Sequence, residues 1–263
     1  NLGASYDCLN FESEILYSKL WEKIFERMKS ENLVHLEDEG DNAGCWVLPI
    51  ENEDDKIIVR SNGAATYVAK DIPYAAWKLG ALTDPFNYAE YTTQPNGRTL
   101  YETTLEETQV SKQSFAANKV ITVIDNRQTN LQKIVTNLMS KFNPESSYVH
   151  LGYEAVTLSA ETAKILGNKT DGKDVQMSGR KGLYINADGI IAKLEKHIFL
   201  ESKERNDDLD DASLNEIAHN VAIGTIRYEL IKPDLGKIIT FDINTSLKLE
   251  GDTCSYIQYS CVR

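Results

Sequence analysis

The feature that most limits how this chain can fold is the run Lys119–Asp125, whose five interior residues are all β-branched. Such a run predicts a buried β-strand. Residues 126–129 then turn into a predicted helix with apolar residues at 131, 134, 135 and 138. A strand that feeds a helix is half of a βαβ unit, and ligands gather at the carboxyl ends of parallel strands, where Gln128 stands. The sequence therefore predicts an α/β fold with a parallel sheet.

Length and composition bound the class of protein. A chain of 263 residues with 41% hydrophobic and 26% charged residues is ordinary for a globular protein with a sizeable core. No apolar run approaches the ~20 residues that span a bilayer. The net charge of −12 argues against a general nucleic-acid binder and fits a small cationic substrate, although a local basic patch could still hold RNA. The absence of a starting Met predicts a cut end.

The four cysteines show no Cys-x-x-Cys spacing, so we expect reduced thiols, a cytosolic protein and no metal site.

Elements before residue 60 are predicted from apolar spacing. Apolar residues recur at a helical period from 15 to 28, which predicts one helix. Residues 45–49 are predicted to form an edge strand, and residues 56–60 a second strand. The Asn62-Gly63 pair predicts a hairpin turn, because both residues tolerate positive φ.

A strand at residues 65–69 and then a helix that ends near Gly80 are predicted next. Asp71 is placed as the N-cap of that helix, with Pro73 in its first turns. Residues 81–118 are rich in Tyr and Thr and predict an inserted β-rich flap with a hairpin.

The last part of the chain is predicted to be mostly helical. Residues 147–154 predict a strand, and Asn186 predicts the cap of a helix. After an acidic linker at 206–211, Ser213 and Glu216 match a capping box at the start of a helix that ends before Pro233.

A basic glycine-containing loop at residues 175–182 carries the clearest chemistry. Its glycines let backbone N–H groups approach a ligand closely, and Arg180 and Lys181 add two positive charges. Such a loop suits a polyphosphate, whereas the alternative is a solvated basic turn.

Residues 177–182 read Met-Ser-Gly-Arg-Lys-Gly, which is one form of the signature loop of arginyl-tRNA synthetases, a family of class I aminoacyl-tRNA synthetases. Residues 60–74 resemble a second family pattern, with Pro73 at a usual Ala. Residues 6–13 resemble a third, with Phe11 at a usual Gly. Residues 221–228, 239–242, 249–251 and 256–263 resemble further motifs, with Cys261 at a usual His. These motifs occur in the family's order over most of the chain.

The resemblance implies a site and a reaction. It implies ATP-dependent activation of L-arginine and its transfer to tRNA(Arg), with Mg2+ accompanying ATP, in a cytoplasmic monomer. By this resemblance, the residues that bind arginine are Glu12, Tyr67, Asp71 and Gln128. The residues that contact ATP are Met177, Ser178 and Gly179. The catalytic residues are the two cations Arg180 and Lys181.

The resemblance also implies an architecture, a partial Rossmann-like parallel sheet with an inserted flap, followed by a helical stem-contact region. Residues 1–152 would form the C-terminal half of the nucleotide-binding catalytic fold. Residues 153–235 would hold the signature loop and the stem-contact helices, and residues 236–263 would begin the linker to an anticodon-binding domain.

The family's His-Ile-Gly-His signature occurs nowhere in the chain, and His150-Leu151-Gly152 does not match it. We therefore expect a fragment that is inactive alone. Two alternatives stay open: a class I synthetase for another cationic amino acid such as lysine, and a non-catalytic RNA-binding paralogue.

Overall fold

The computed structural model describes residues 2–50, 54–111, 115–165, 167, 170–176, 186–246, 248 and 251–263. The chain divides into two compact units. The first unit is Ser5–Gly152, and the second is Asn1–Ala4 together with Tyr153–Arg263.

The first unit mixes strands and helices. Its strands are β1 (Cys8–Leu9), β2 (His35–Leu36), β3 (Trp46–Leu48), β4 (Lys56–Val59), β5 (Asn87–Thr93), β6 (Thr99–Thr104), β7 (Lys119–Asp125) and β8 (Ser147–Tyr153). Its helices are α1 (Glu12–Tyr17), α2 (Leu20–Ser30), α3 (Tyr67–Lys78), a short 3-10 helix (Asn126–Gln128) and α4 (Thr129–Phe142).

Strands β7 and β8 pair with each other and are joined by α4. Thr122 contacts Tyr148 and Ile124 contacts His150, so the two strands advance in the same direction. This is the parallel βαβ unit predicted from the sequence. The predicted burial of β7 is wrong for one face, because Ile121 and Val123 are 54% and 63% exposed. Only the other face packs on the core, through Val120.

A second sheet has the strand order β2-β3-β4 and is antiparallel. The prediction of residues 45–49 as an edge strand is wrong, because β3 pairs on both sides: Val47 lies opposite His35 and opposite Ile57. A third sheet has the order β1-β6-β5, in which β5 and β6 form the predicted hairpin. The hairpin is anchored, since Phe86 and Tyr88 are fully buried against Trp77.

The single helix predicted for residues 15–28 is wrong, because the structure has two helices. Lys19, between α1 and α2, has a φ of 56°, which interrupts the helical backbone. Leu20, Ile24 and Met28 still follow the predicted period and are fully buried. Apolar spacing found the buried face but not the break.

Residues 65–69 were predicted to be a strand, which is wrong from Tyr67 onward because α3 begins there. Thr66 occupies the N-cap position, and its hydroxyl donates to the carbonyl of Ile57 at 2.8 Å, which fixes the start of the helix on β4. Asp71 is therefore not the cap and lies inside the helix. Ala69, Ile72 and Ala76 are buried at helical spacing, so tertiary packing selects the helix.

The second unit contains β9 (Val156–Leu158), α5 (Ala160–Ile165), β10 (Val175–Gln176), α6 (Ala187–Arg205), α7 (Asp211–Ile231), β11 (Ile239–Phe241), α8 (Ile243–Ser246) and α9 (Cys254–Val262). Its sheet has the order β10-β9-β11, with β9 and β11 parallel. Helices α6 and α7 pack through Leu194, Ala218 and Ala222.

Both long helices of the second unit have polar N-caps. The side chain of Asn186 accepts from the N–H of Asp188, as predicted. The predicted capping box at Ser213 is wrong, because the side chain of Asp210 caps α7 and accepts from the N–H of Ser213. In the described part of the chain, no helix is both long and apolar enough to cross a membrane.

The packing of α3 generates a stability prediction. Ile72→Ala should lower the free energy of unfolding of the first unit by about 2–5 kcal/mol, because the fully buried side chain leaves a cavity between α3 and its neighbours. Trp21, Trp46 and Trp77 are the chain's three tryptophans and all lie in this unit, so urea unfolding followed by Trp fluorescence measures it. The control Lys70→Ala, on the exposed side of α3, should change the value by at most about 0.5 kcal/mol. Equal losses in both variants would contradict the helical placement.

Candidate functional site

A cavity of about 540 Å3 opens in the first unit beside α1, α2 and α3. Its walls are largely apolar or aromatic, formed by Ile15, Leu16, Trp21, Pro73 and Tyr74. Its charged residues are Glu12, Glu22, Lys70 and Asp71. Three carboxylates against one ammonium give the cavity a net negative charge, which favours a cationic ligand.

Glu12 and Lys70, which both line the cavity, form a long ion pair. The Lys70 ammonium lies 3.9 Å from a Glu12 carboxylate oxygen, and both side chains are largely exposed. A contact of this length between exposed groups is weak, so both side chains are available to a ligand.

Asp71 is held much more firmly, by a chain of hydrogen bonds that reaches the parallel strands. The Gln132 amide donates to Asp71 Oδ2 at 2.9 Å. The Tyr148 hydroxyl donates to Gln132 Oε1 at 3.1 Å, and Thr122 donates to Tyr148 at 2.7 Å. Gln132 is fully buried at 0% exposure, and burial raises the pKa of Tyr148, which keeps that hydroxyl protonated as a donor. The four residues fix the position of the carboxylate.

Partial burial raises the pKa of Asp71 above its ordinary value. The Gln132 hydrogen bond and the positive charge of Lys78 act in the opposite direction, while the charge of Glu12 raises the pKa further. The Lys78 ammonium lies 4.3 Å from the ring centre of Tyr74, and burial lowers the pKa of Lys78. A ligand cation beside Asp71 would therefore stabilise the charged form of its carboxylate.

The structure brings three of the four predicted arginine-binding residues together. Glu12 is the first residue of α1, Tyr67 is the first residue of α3, and Asp71 lies one turn along α3; all three line the cavity. Tyr67 and Asp71 share a face of the helix because they are four residues apart.

The fourth predicted residue, Gln128, ends the 3-10 helix and does not line the cavity. In the described part of the chain, no hydrogen bond joins its side chain to Asp71. Gln132, one helical turn further along, makes that contact instead, and sequence reasoning missed it. A polar residue among apolar positions 131, 134, 135 and 138 of a helix must find a partner in the core, and that signal could have identified it.

The residues predicted to contact ATP and to carry the catalytic charge lie outside the described residues; they are Met177, Ser178, Gly179, Arg180 and Lys181.

The arrangement can bind a cation that has a long apolar stem. The carboxylate of Asp71 would accept from the ligand's head group, and Tyr67 and Tyr74 would flank it. The apolar walls would contact methylene groups of the stem.

Loss of the Gln132 contact should move the pKa of Asp71 upward. In Gln132→Leu, the hydrogen bond that favours the charged carboxylate is gone while burial continues to oppose it, so the pKa should rise further. Carbon-13 NMR of the Asp71 carboxyl group during a pH titration measures this. Gln128→Leu is the matched control and should leave the titration unchanged. A rise of equal size in the two variants, or none in Gln132→Leu, would refute the contact.

Comparisons with known proteins show what this chain is similar to. No protein-family model matches the chain. Over its whole length the chain is 30% identical to an arginine–tRNA ligase of Deinococcus radiodurans and 32% identical to one of Thermus thermophilus, and it covers 42% of each. It thus spans about two fifths of the length of these curated relatives.

The fold agrees with the sequence comparison. The solved structure of Thermus thermophilus arginyl-tRNA synthetase matches 98% of this chain with a TM-score of 0.79 and 29% identity, and the match covers 41% of that structure's chain. In sequence and in fold, therefore, this chain is similar to about two fifths of an arginyl-tRNA synthetase.

Proposed function

We propose that this chain is the arginine-recognising part of an arginine–tRNA ligase. The observation that carries the proposal is the anchored carboxylate of Asp71 in the wall of a negatively charged cavity that Glu12 and Tyr67 also line. The similarity to arginine–tRNA ligases over the whole chain supports the same assignment.

Arginine fits the cavity in shape and charge. Its planar guanidinium offers five N–H donors, so it gains from a fixed carboxylate beside aromatic rings. A hydrogen bond to a charged group contributes about 1.5–3 kcal/mol, and an unmet buried carboxylate costs a comparable amount. Because the Asp71 carboxylate is fixed in position, it favours the planar guanidinium of arginine, whose donors have a defined geometry, over the freely rotating ammonium of lysine.

The proposed reaction has two steps. The carboxylate of arginine attacks the α-phosphorus of ATP, which Mg2+ accompanies. This step forms arginyl-adenylate and releases pyrophosphate. A ribose hydroxyl of tRNA(Arg) then takes the arginyl group and releases AMP. Because the substrate supplies the nucleophile, positioning and positive charge dominate catalysis. We assign that charge to Arg180 and Lys181, and the contact with ATP to Met177, Ser178 and Gly179.

Several further assignments follow from the family alone. We propose a cytoplasmic monomer in which residues 1–152, 153–235 and 236–263 have the catalytic-fold, stem-contact and linker roles, and we expect this piece to be inactive without the His-Ile-Gly-His signature. Gln128 stays in the proposed arginine set on the basis of the family motif.

The enzyme alternative is a ligase for lysine, which the fixed geometry of Asp71 disfavours. The other alternative, a non-catalytic paralogue, would bind RNA without activating an amino acid. A ligand-binding experiment on the cavity and an activity assay separate these functions.

Arginine should bind this chain with one site per molecule, and Asp71→Asn should weaken binding by about tenfold or more, because the anchored negative charge is lost. Isothermal titration calorimetry with arginine, lysine and the neutral analogue citrulline measures this, with arginine bound most tightly. Asp41→Asn, an exposed carboxylate away from the cavity, is the control and should bind like the unmodified chain. Tighter binding of lysine would overturn the choice of substrate.

Binding should also depend on pH in a direction set by Asp71. Protonation removes the negative charge, so arginine binding should weaken as the pH falls through a pKa that lies above the ordinary range of an aspartate. The same titrations repeated at decreasing pH measure this. In Asp71→Asn that component should be absent, and an unchanged pH profile would show that Asp71 does not meet the ligand.

In the full-length protein, Asp71→Ala should abolish arginine-dependent exchange between ATP and pyrophosphate in the presence of tRNA. Asp41→Ala should retain the exchange. Full exchange in Asp71→Ala would refute the site, and no exchange in the unmodified full-length protein would favour the paralogue.

A further inference from the structure

A second group of cation-binding side chains lies on the β2-β3-β4 sheet. His35 on β2, Glu37 just after it and Asp55 just before β4 each offer one ligand atom, and these atoms all lie within 4.8 Å of one another. His35 Nε2 and Glu37 Oε1 lie 2.9 Å apart. None of the three residues lines the arginine cavity.

The sheet holds the backbone on which these side chains stand. The N–H of Glu37 donates to the carbonyl of Cys45 at 2.9 Å, and the carbonyl of Glu37 accepts from Gly44 at 2.7 Å. His35 lies opposite Val47, and Lys56, next to Asp55, lies opposite Leu48. Ligands on paired strands keep their spacing better than ligands on a free loop.

The donor set indicates the class of ion. One imidazole nitrogen and two carboxylate oxygens suit Zn2+ and similar divalent transition metals, which often have three protein ligands and leave a position for water. Ca2+ and Mg2+ prefer an all-oxygen shell. Two carboxylates also balance the double positive charge, and Asp38, Glu39 and Asp54 add negative charge nearby in the sequence.

Two other histidine–carboxylate pairs occur in the described part of the chain, and no third ligand of this kind lies near either pair there. His219 lies 2.6 Å from Glu195, and His197 lies 3.2 Å from Glu201. Across the described ranges, only His35, Glu37 and Asp55 bring three such groups within range of one ion. The two other pairs therefore serve as internal comparisons.

We propose that His35, Glu37 and Asp55 form a binding site for one divalent transition-metal ion such as Zn2+. The bound ion joins β2 to the segment before β4 across the sheet. This site uses no cysteine, so the cysteine spacing in the sequence gives no sign of it.

The test uses Zn2+ as the probe, on the untagged 263-residue chain after treatment with chelator. A Cys261→Ser background removes the exposed thiol, which would otherwise compete for the ion. Calorimetry should show one saturable Zn2+ site per chain and weaker binding of Mg2+. Zn2+ should also raise the melting temperature, and excess chelator should reverse the rise.

Two ligand variants and one matched control decide the outcome. His35→Ala and Asp55→Asn should each weaken Zn2+ binding by about tenfold or more and reduce the rise in melting temperature. Asp55→Asn alters an exposed side chain without changing its size, so its folding is secure, and circular dichroism checks both variants. His219→Ala should bind like the parent. Unchanged affinity in His35→Ala and Asp55→Asn, or equal affinity for Mg2+, would overturn the site.

Discussion

The position of the Asp71 carboxylate depends on one buried polar contact, its hydrogen bond with the amide of Gln132. An amide buried at 0% exposure must have partners on both its donor and its acceptor sides. Asp71 on α3 and Tyr148 on β8 are those partners, so the contact links two helices to the parallel strands. Because an unmet partner would cost free energy in the core, the position of the Asp71 carboxylate is fixed before any ligand arrives.

The sequence predicted residues of the cavity better than it predicted the backbone of α3, and the spacing of two of those residues explains why. Tyr67 and Asp71 are four residues apart, which puts them on one face of a helix but would also put them on one face of a strand. The family motif at residues 60–74 could therefore be recognised while its backbone was assigned wrongly. The contact that fixes the start of α3 joins Thr66 to the carbonyl of Ile57 on β4. Local helix or strand propensity cannot predict a contact between two separate segments.

The other predictions also succeeded where the signal is local in the sequence and failed where it depends on contacts between elements. Apolar periodicity identified α4 and the buried face of α2, because burial repeats along the sequence with the helix. It missed the break at Lys19, where the chain adopts positive φ without a glycine or a proline to announce it. It also placed β3 at an edge, because the number of strands that pair with β3 is a property of the sheet and not of its own residues. Gln132 was missed for a similar reason, since its partners lie on other elements.

The two proposed cation sites would use carboxylates in different ways. In the cavity that we propose for arginine, Asp71 is partly buried and its carboxylate is held by Gln132, so a planar head group with matching donors should gain more than a small ion. On the β2-β3-β4 sheet, Glu37 and Asp55 offer carboxylate oxygens within 4.8 Å of each other and of an imidazole nitrogen of His35. Three ligand atoms this close together would suit one compact ion better than a flat, extended fork of donors. In these two proposals, the arrangement of the carboxylates, more than the total charge of −12, decides which cation each set binds.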